Sequence, residues 1–145
     1  MSIWFKQPQV EEINKFNENT MVSHCGIKVT QISDDELSGI MPVGDHLKQP
    51  FGIVHGGANC VLAETLGSIA ANLTCDPAVS HAVGLSIQTN HIKAVRNGDI
   101  TGIAKPVHLG RSVQVWQIQT FNDHGHLTSQ TSLTMSIISK LGKSI

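Results

Sequence analysis

Between Gly52 and Cys75 the chain reads GIVHGGANCVLAETLGSIAANLTC, with one acidic residue, Glu64, and no Lys or Arg. A carboxylate that is oriented and partly removed from water is suited to act as a nucleophile or general base. His55-Gly56-Gly57 stands where the helix carrying it should start. Backbone N–H groups at a helix start have no partner within the helix. With no Cβ at Gly56 or Gly57, a substrate carbonyl can approach them closely. The helix dipole favours a developing oxyanion there, and losing one such donor typically costs about 2.7–4 kcal/mol of transition-state stabilisation. The two features together suit attack on a carbonyl. The competing readings are a plain Gly-rich helix entry and a carboxylate that faces water or makes a structural hydrogen bond.

The spacing predicts a helix over roughly Gly57 to Thr74. At about 100° per residue, Ala58, Leu62, Leu66, Ile69 and Leu73 form one stripe, with Thr65 at its border. That stripe should pack on a sheet. The opposite side carries Gly57, Cys60, Glu64, Gly67, Ser68 and Ala71. It is small and nearly uncharged, as if a second subunit or a ligand came close. Ser68, one turn after Glu64, is placed to hydrogen-bond it. From Gly57 to Glu64 the helix rises by about two turns, roughly 10 Å. That span is long for both groups of one chain to meet at one carbon. Two antiparallel copies could bring Glu64 of one beside Gly56 of the other, which predicts a site shared between subunits.

The elements that must position these residues follow from local pattern. QVEEINKFN, from Gln9 to Asn17, repeats apolar positions at helical spacing. GIKVTQIS and ELSGIMPV read as strands joined by a turn at Asp34-Asp35. The loop GDHLKQPFG then leads to the long helix. After Asp76-Pro77, β-rich runs alternate with turn signals. HAVGLSIQTNHIKAV ends at Asn97-Gly98, a strong hairpin dipeptide. DITGIAKPVHL ends near Gly110, RSVQVWQIQTF ends at Asn122-Asp123-His124-Gly125, and HLTSQTSLTMSII completes the chain's pattern. Hairpin-linked strands after one buried helix predict an α+β fold, a curved antiparallel sheet around one long central helix. Its long edges invite pairing with a second copy.

The bulk composition narrows the classes further. At 145 residues, 40% hydrophobic and 14% charged, residues 1–145 read as a single globular domain. Net charge is −1 and the Lys and Arg are scattered, which argues against nucleic acid as a partner. Cys25, Cys60 and Cys75 show no CxxC spacing and read as reduced thiols of a cytoplasmic protein. The N-terminal stretch lacks an apolar h-region. Phe51–Leu73 holds too many polar residues and glycines to span a membrane. Asn72-Leu73-Thr74 matches the glycosylation pattern by accident on a cytosolic helix.

KQPFGIVHGGANCVLAETLGS, NHIK and KPVHLGRSVQVWQIQTF resemble the hotdog-fold acyl-CoA thioesterases. They are most similar to the branch acting on aromatic thioesters, 4-hydroxybenzoyl-CoA and 1,4-dihydroxy-2-naphthoyl-CoA, the latter a step of menaquinone biosynthesis. The likeness runs from Ile3-Trp4 to the last strand. It implies a hotdog fold, a double-hotdog dimer, usually a tetramer, and no cofactor beyond the CoA of the substrate. It also implies that Glu64 attacks the thioester carbonyl or activates water, and that the Gly56 N–H polarises that carbonyl. Gln49 and His55 would orient the thioester and Ser68 would assist the acid. His91 would lie near the pantetheine or nucleotide end of CoA. Lys93 follows it with a charge but without a bidentate fork. Lys105, His108, Leu109, Gly110 and Arg111 flank a turn suited to CoA phosphates.

Other chemistry fits less well. His55, Cys60 and Glu64 match no common metal-ligand spacing, so no metal is expected. An apolar helix raises the Cys60 thiol's pKa and disfavours a Cys-His nucleophile. The His-Phe-Pro-Gly pattern of hotdog dehydratases is absent. The remaining rivals are a non-catalytic acyl-CoA-binding hotdog protein and a thioesterase for aliphatic chains.

Overall fold

A computed structural model describes residues 1–140. Two short helices, α1 (Val10–Phe16) and α2 (Met21–His24), precede strands β1 (Lys28–Ile32) and β2 (Leu37–Pro42). The long helix α3 spans Gly56–Leu73, starting one residue earlier than the spacing predicted. Strands β3 (Ser80–His91), β4 (Asp99–Leu109), β5 (Val113–Phe121) and β6 (Leu127–Ser139) follow. All six strands form one antiparallel sheet in the order β1-β2-β4-β5-β6-β3. The α3 helix packs against β2 through β6, so the sheet wraps around it in the hotdog arrangement.

The predicted turn at Asp34-Asp35 is present, closed by the Ser33 N–H donating to Glu36 O. The hairpin at Asn97-Gly98 is not. Gly98 does turn the chain with φ +81, but β3 and β4 are not neighbours. Strand β4 lies between β2 and β5, while β3 crosses to pair with β6 at the far edge. A turn dipeptide fixes only local direction. Which strands pair is decided by how the sheet closes around α3.

Leu62 and Leu66, fully buried, anchor α3 to the sheet, each worth about 1.5–3 kcal/mol of apolar burial. The sheet makes room with glycines. A Cβ at Gly39 or Gly102 would lie 2.7 or 2.6 Å from a Leu66 methyl carbon. This close approach rotates the helix relative to the predicted stripe. Gly67 and Ala71, expected on the outer side, are buried, and a Cβ at Gly67 would lie 2.5 Å from Leu133. Ile69 and Leu73 are only partly buried. Residues whose smallness suggested a partner are small because the sheet is near.

The two sheet edges differ. Strand β1 is short, and the Asn14 amide occupies it by bonding both the N–H and C=O of Val29 at 2.9 Å. Strand β3 is twelve residues long. Only its start is clasped, where the Asn72 amide accepts from Ala82 N at 2.9 Å and donates to Ala82 O at 3.0 Å. Val83 and Leu85 on β3 are exposed apolar side chains.

Candidate active site

The start of α3 is set by the loop before it. Pro50 occupies the second position of a turn closed by Gly52 N donating to Gln49 O at 2.9 Å, as its fixed φ favours. The Gln49 side-chain carbonyl accepts from the Phe51 N–H, which leaves its NH₂ free to donate. His55 N donates to Leu47 O at 2.8 Å and Val54 N donates to Val95 O at 2.9 Å. These bonds hold the loop against the segment after β3. Gln49, Gly56, Asn59, His91 and Lys93 thereby line one cavity of about 260 Å³.

Each glycine of the His-Gly-Gly sequence faces an imidazole. His55 is the N-cap of α3, and its Nδ1 accepts from Gly57 N at 2.8 Å. That bond puts the ring's own proton on Nε2 in neutral His55. A Cβ at Gly57 would lie 2.9 Å from His55 Nδ1, and one at Gly56 would lie 2.9 Å from His91 Nε2. The absent side chains therefore make room for two rings, where the sequence suggested room for substrate. Of the two N–H groups expected to be free, Gly57's is capped. Gly56's has no partner among the described residues.

His91 is held in turn by Asn59, whose Nδ2 lies 3.3 Å from His91 Nδ1. Asn59 is 7% exposed and its Oδ1 has no partner, an omission that typically costs about 1–3 kcal/mol. Sequence reading missed Asn59. Its signal was a polar residue in line with Leu62, Ala63 and Leu66 on the buried face.

Glu64 lies eight residues after Gly56, about 12 Å along the helix. It is exposed, and its carboxylate has no hydrogen bond or ion pair among the described residues. The expected bond from Ser68 is not formed; the Ser68 carbonyl instead accepts from Asn72 Nδ2 at 2.9 Å. What positions Glu64 is strand β3: a Cβ at Gly84 would lie 2.6 Å from its Oε1. The β3–β6 register shifts between Gly84 and Ser86, beside that contact. The start of the helix and its acid thus remain separate within one chain.

The basic residues divide as well. Arg111 and His108 are exposed at the β4–β5 turn, where Gly110 N donates to Val113 O at 2.9 Å. Leu109 beside them is 42% exposed. Lys93 is exposed at the mouth of the cavity by Gly56. Lys105 is engaged elsewhere, with Nζ 2.9 Å from Glu36 and 4.0 Å from Asp35. The Glu36 hydrogen bond, then the two carboxylate charges, raise its pKa. Its ammonium thus already has carboxylate partners on the β1–β2 turn. Among the described residues no trio of His, Cys, Asp or Glu is placed to hold a metal ion, and no helix is long and apolar enough to cross a membrane.

One helix wrapped by six antiparallel strands makes this a hotdog protein, and its surroundings agree. The thioesterase superfamily model matches residues 51–129. The chain is 43% identical over 136 residues to the 1,4-dihydroxy-2-naphthoyl-CoA hydrolase of Escherichia coli, covering 94% of this chain and 99% of that one. It is 40% identical over 136 residues to the proofreading thioesterase EntH of Cronobacter sakazakii, covering 94% and 98%. A thioesterase structure from Haemophilus influenzae superposes with a TM-score of 0.94 at 38% identity, covering 99% of both chains. The chain belongs to the thioesterase superfamily and is a thioester hydrolase.

Proposed function

We propose that the protein hydrolyses an acyl-CoA thioester, converting R–CO–S–CoA and water to R–COO⁻, CoA thiol and a proton. The carrying observation is one helix with an unpaired Gly56 N–H at its start and an unpaired Glu64 carboxylate about 12 Å further on. The carbonyl oxygen takes the Gly56 N–H as donor, and Gln49, which lines the same cavity, and His55, the N-cap of α3, orient the thioester. Glu64 of a second chain attacks the carbonyl carbon or removes a proton from water, with Ser68 beside it. Attack by either route expels the CoA thiolate, and in the nucleophilic route water then cleaves the Glu64 acyl anhydride to R–COO⁻ and the free carboxylate.

The second chain docks antiparallel along the open edge of β3, burying Val83 and Leu85, and two such dimers form a tetramer. Lys93, His108, Leu109, Gly110 and Arg111 hold the CoA end. The acyl group is aromatic, with 1,4-dihydroxy-2-naphthoyl-CoA favoured by the likeness to the Escherichia coli hydrolase. The chain holds no Tyr, two Trp and four Phe, so aliphatic side chains must supply much of the acyl contact.

Thiol release from benzoyl-, 4-hydroxybenzoyl-, 1,4-dihydroxy-2-naphthoyl- and straight-chain acyl-CoAs tests this reading. Fast turnover of an aryl thioester supports all of it. Turnover of aliphatic chains alone removes the aromatic assignment. CoA binding without turnover of any thioester contradicts the catalytic role given to Glu64 and Gly56.

A further inference from the structure

The start of α3 holds a contact that the hydrolysis described above does not use. Asn59 is 93% buried by its 7% exposure, yet it leaves Oδ1 without a partner while its Nδ2 points to His91 Nδ1 at 3.3 Å. Turning the amide over would satisfy Oδ1, but only with a proton on His91 Nδ1, and a neutral ring would then show a lone pair at Nε2. With Nδ2 towards the ring, neutral His91 carries its proton on Nε2. That nitrogen is the atom a Cβ at Gly56 would meet at 2.9 Å. Either orientation leaves one end of the amide unpaired, and the one seen here keeps a second N–H beside the unpaired Gly56 N–H. Gly56 and His91 both line the cavity of about 260 Å³, whose one charged lining residue is Lys93.

We propose that Asn59 is a positioning residue that fixes the tautomer and pose of His91, so that His91 Nε2–H and Gly56 N–H together receive the thioester carbonyl oxygen. The proposal rests on the hydrolytic reading of this site. It assigns His91 to the reacting carbonyl, where resemblance alone suggested the far part of CoA. Asn59 Oδ1 is sealed from solvent, so the Asn59 amide acts on the carbonyl through the His91 ring.

Two measurements test it, one of them independent of turnover. Nitrogen-detected NMR of the imidazoles in the wild-type protein near pH 8 should find His91 as the Nε2–H tautomer; an Nδ1–H tautomer overturns the proposal whatever the substrate proves to be. Asn59→Leu keeps the side chain's size and removes the bond. It should lower kcat about tenfold to 10²-fold, below the 10²–10³ of a lost oxyanion donor, with KM changed less than twofold and His91 spread over both tautomers. Unchanged kcat, or a raised KM at unchanged kcat, overturns it. Asn59→Ser, smaller but still able to donate, should recover part of kcat, and a Ser variant no faster than Leu also counts against it. Failure of the hydrolytic reading is recognised separately, by a wild-type protein that turns over no acyl-CoA.

Discussion

The first turn of α3 and its middle are built in opposite ways. Around Gly56 the chain gathers Gln49, held by Phe51 N, His55, held by Gly57 N, and the Asn59–His91 pair, whose members lie 32 positions apart. Around Glu64 it gathers almost nothing: an exposed carboxylate leaning on the Cβ-less Gly84 of an open edge strand. A finished half and an unfinished half on one helix are what the proposed second chain accounts for, since it would supply the surroundings that Glu64 lacks in its own chain. The contrast between β1 and β3 points the same way, since the Asn14 amide occupies the short edge and most of the long one is bare.

The sharpest way to break this contrast is at the bare half. Glu64→Ala should lower kcat/KM by at least the 10²–10⁴-fold of a lost general base, while thermal unfolding stays within a few degrees because the exposed carboxylate makes no hydrogen bond or ion pair among the described residues. At the finished half, Gly56→Ala pushes a Cβ into the His91 ring and should cost about 10²-fold in kcat, as misplacement near 1 Å does. Gly84→Ala probes whether β3 aims the acid. Its Cβ would displace the carboxylate and lower kcat about tenfold, leaving KM near wild type. The smallest effects belong to the CoA end. Arg111→Ala should raise KM by about fivefold, the upper range for one exposed ion pair, and the difference should shrink in high salt. Lys105→Ala should leave KM unchanged, since Glu36 and Asp35 already hold that ammonium. Steady-state kinetics at two salt concentrations separate the two cations.

Much of the site was legible because its parts are local. Glu64 stood out against uncharged neighbours, and the helix began within one residue of its expected start. The turns at Asp34-Asp35 and after Leu109 follow from the same short-range chemistry. What was hidden depends on contacts between distant positions. The placement of β3 beside β6 rather than β4 overrides a strong turn dipeptide at Asn97-Gly98. The 32-residue separation of Asn59 and His91 carries no sequence pattern. Gly84 looked like any strand glycine until Glu64 was found against it. That the β1–β2 hairpin brings Glu36 within 2.9 Å of Lys105 Nζ likewise had no local signal. The smallness of Gly67 and Ala71 was read correctly as close approach, but of the wrong surface.

The central claim is that one reaction centre takes Gly56 from one chain and Glu64 from another. Complementation tests it most directly: Glu64→Ala and Gly56→Ala chains are refolded separately, refolded together, and assayed for thioester hydrolysis. A shared site predicts that each variant alone is nearly inactive and that the mixture regains about one quarter of wild-type activity, since random pairing gives half heterodimers with one intact site of two. A mixture no more active than the average of the two variants would contradict the shared site and place both groups at work within a single chain.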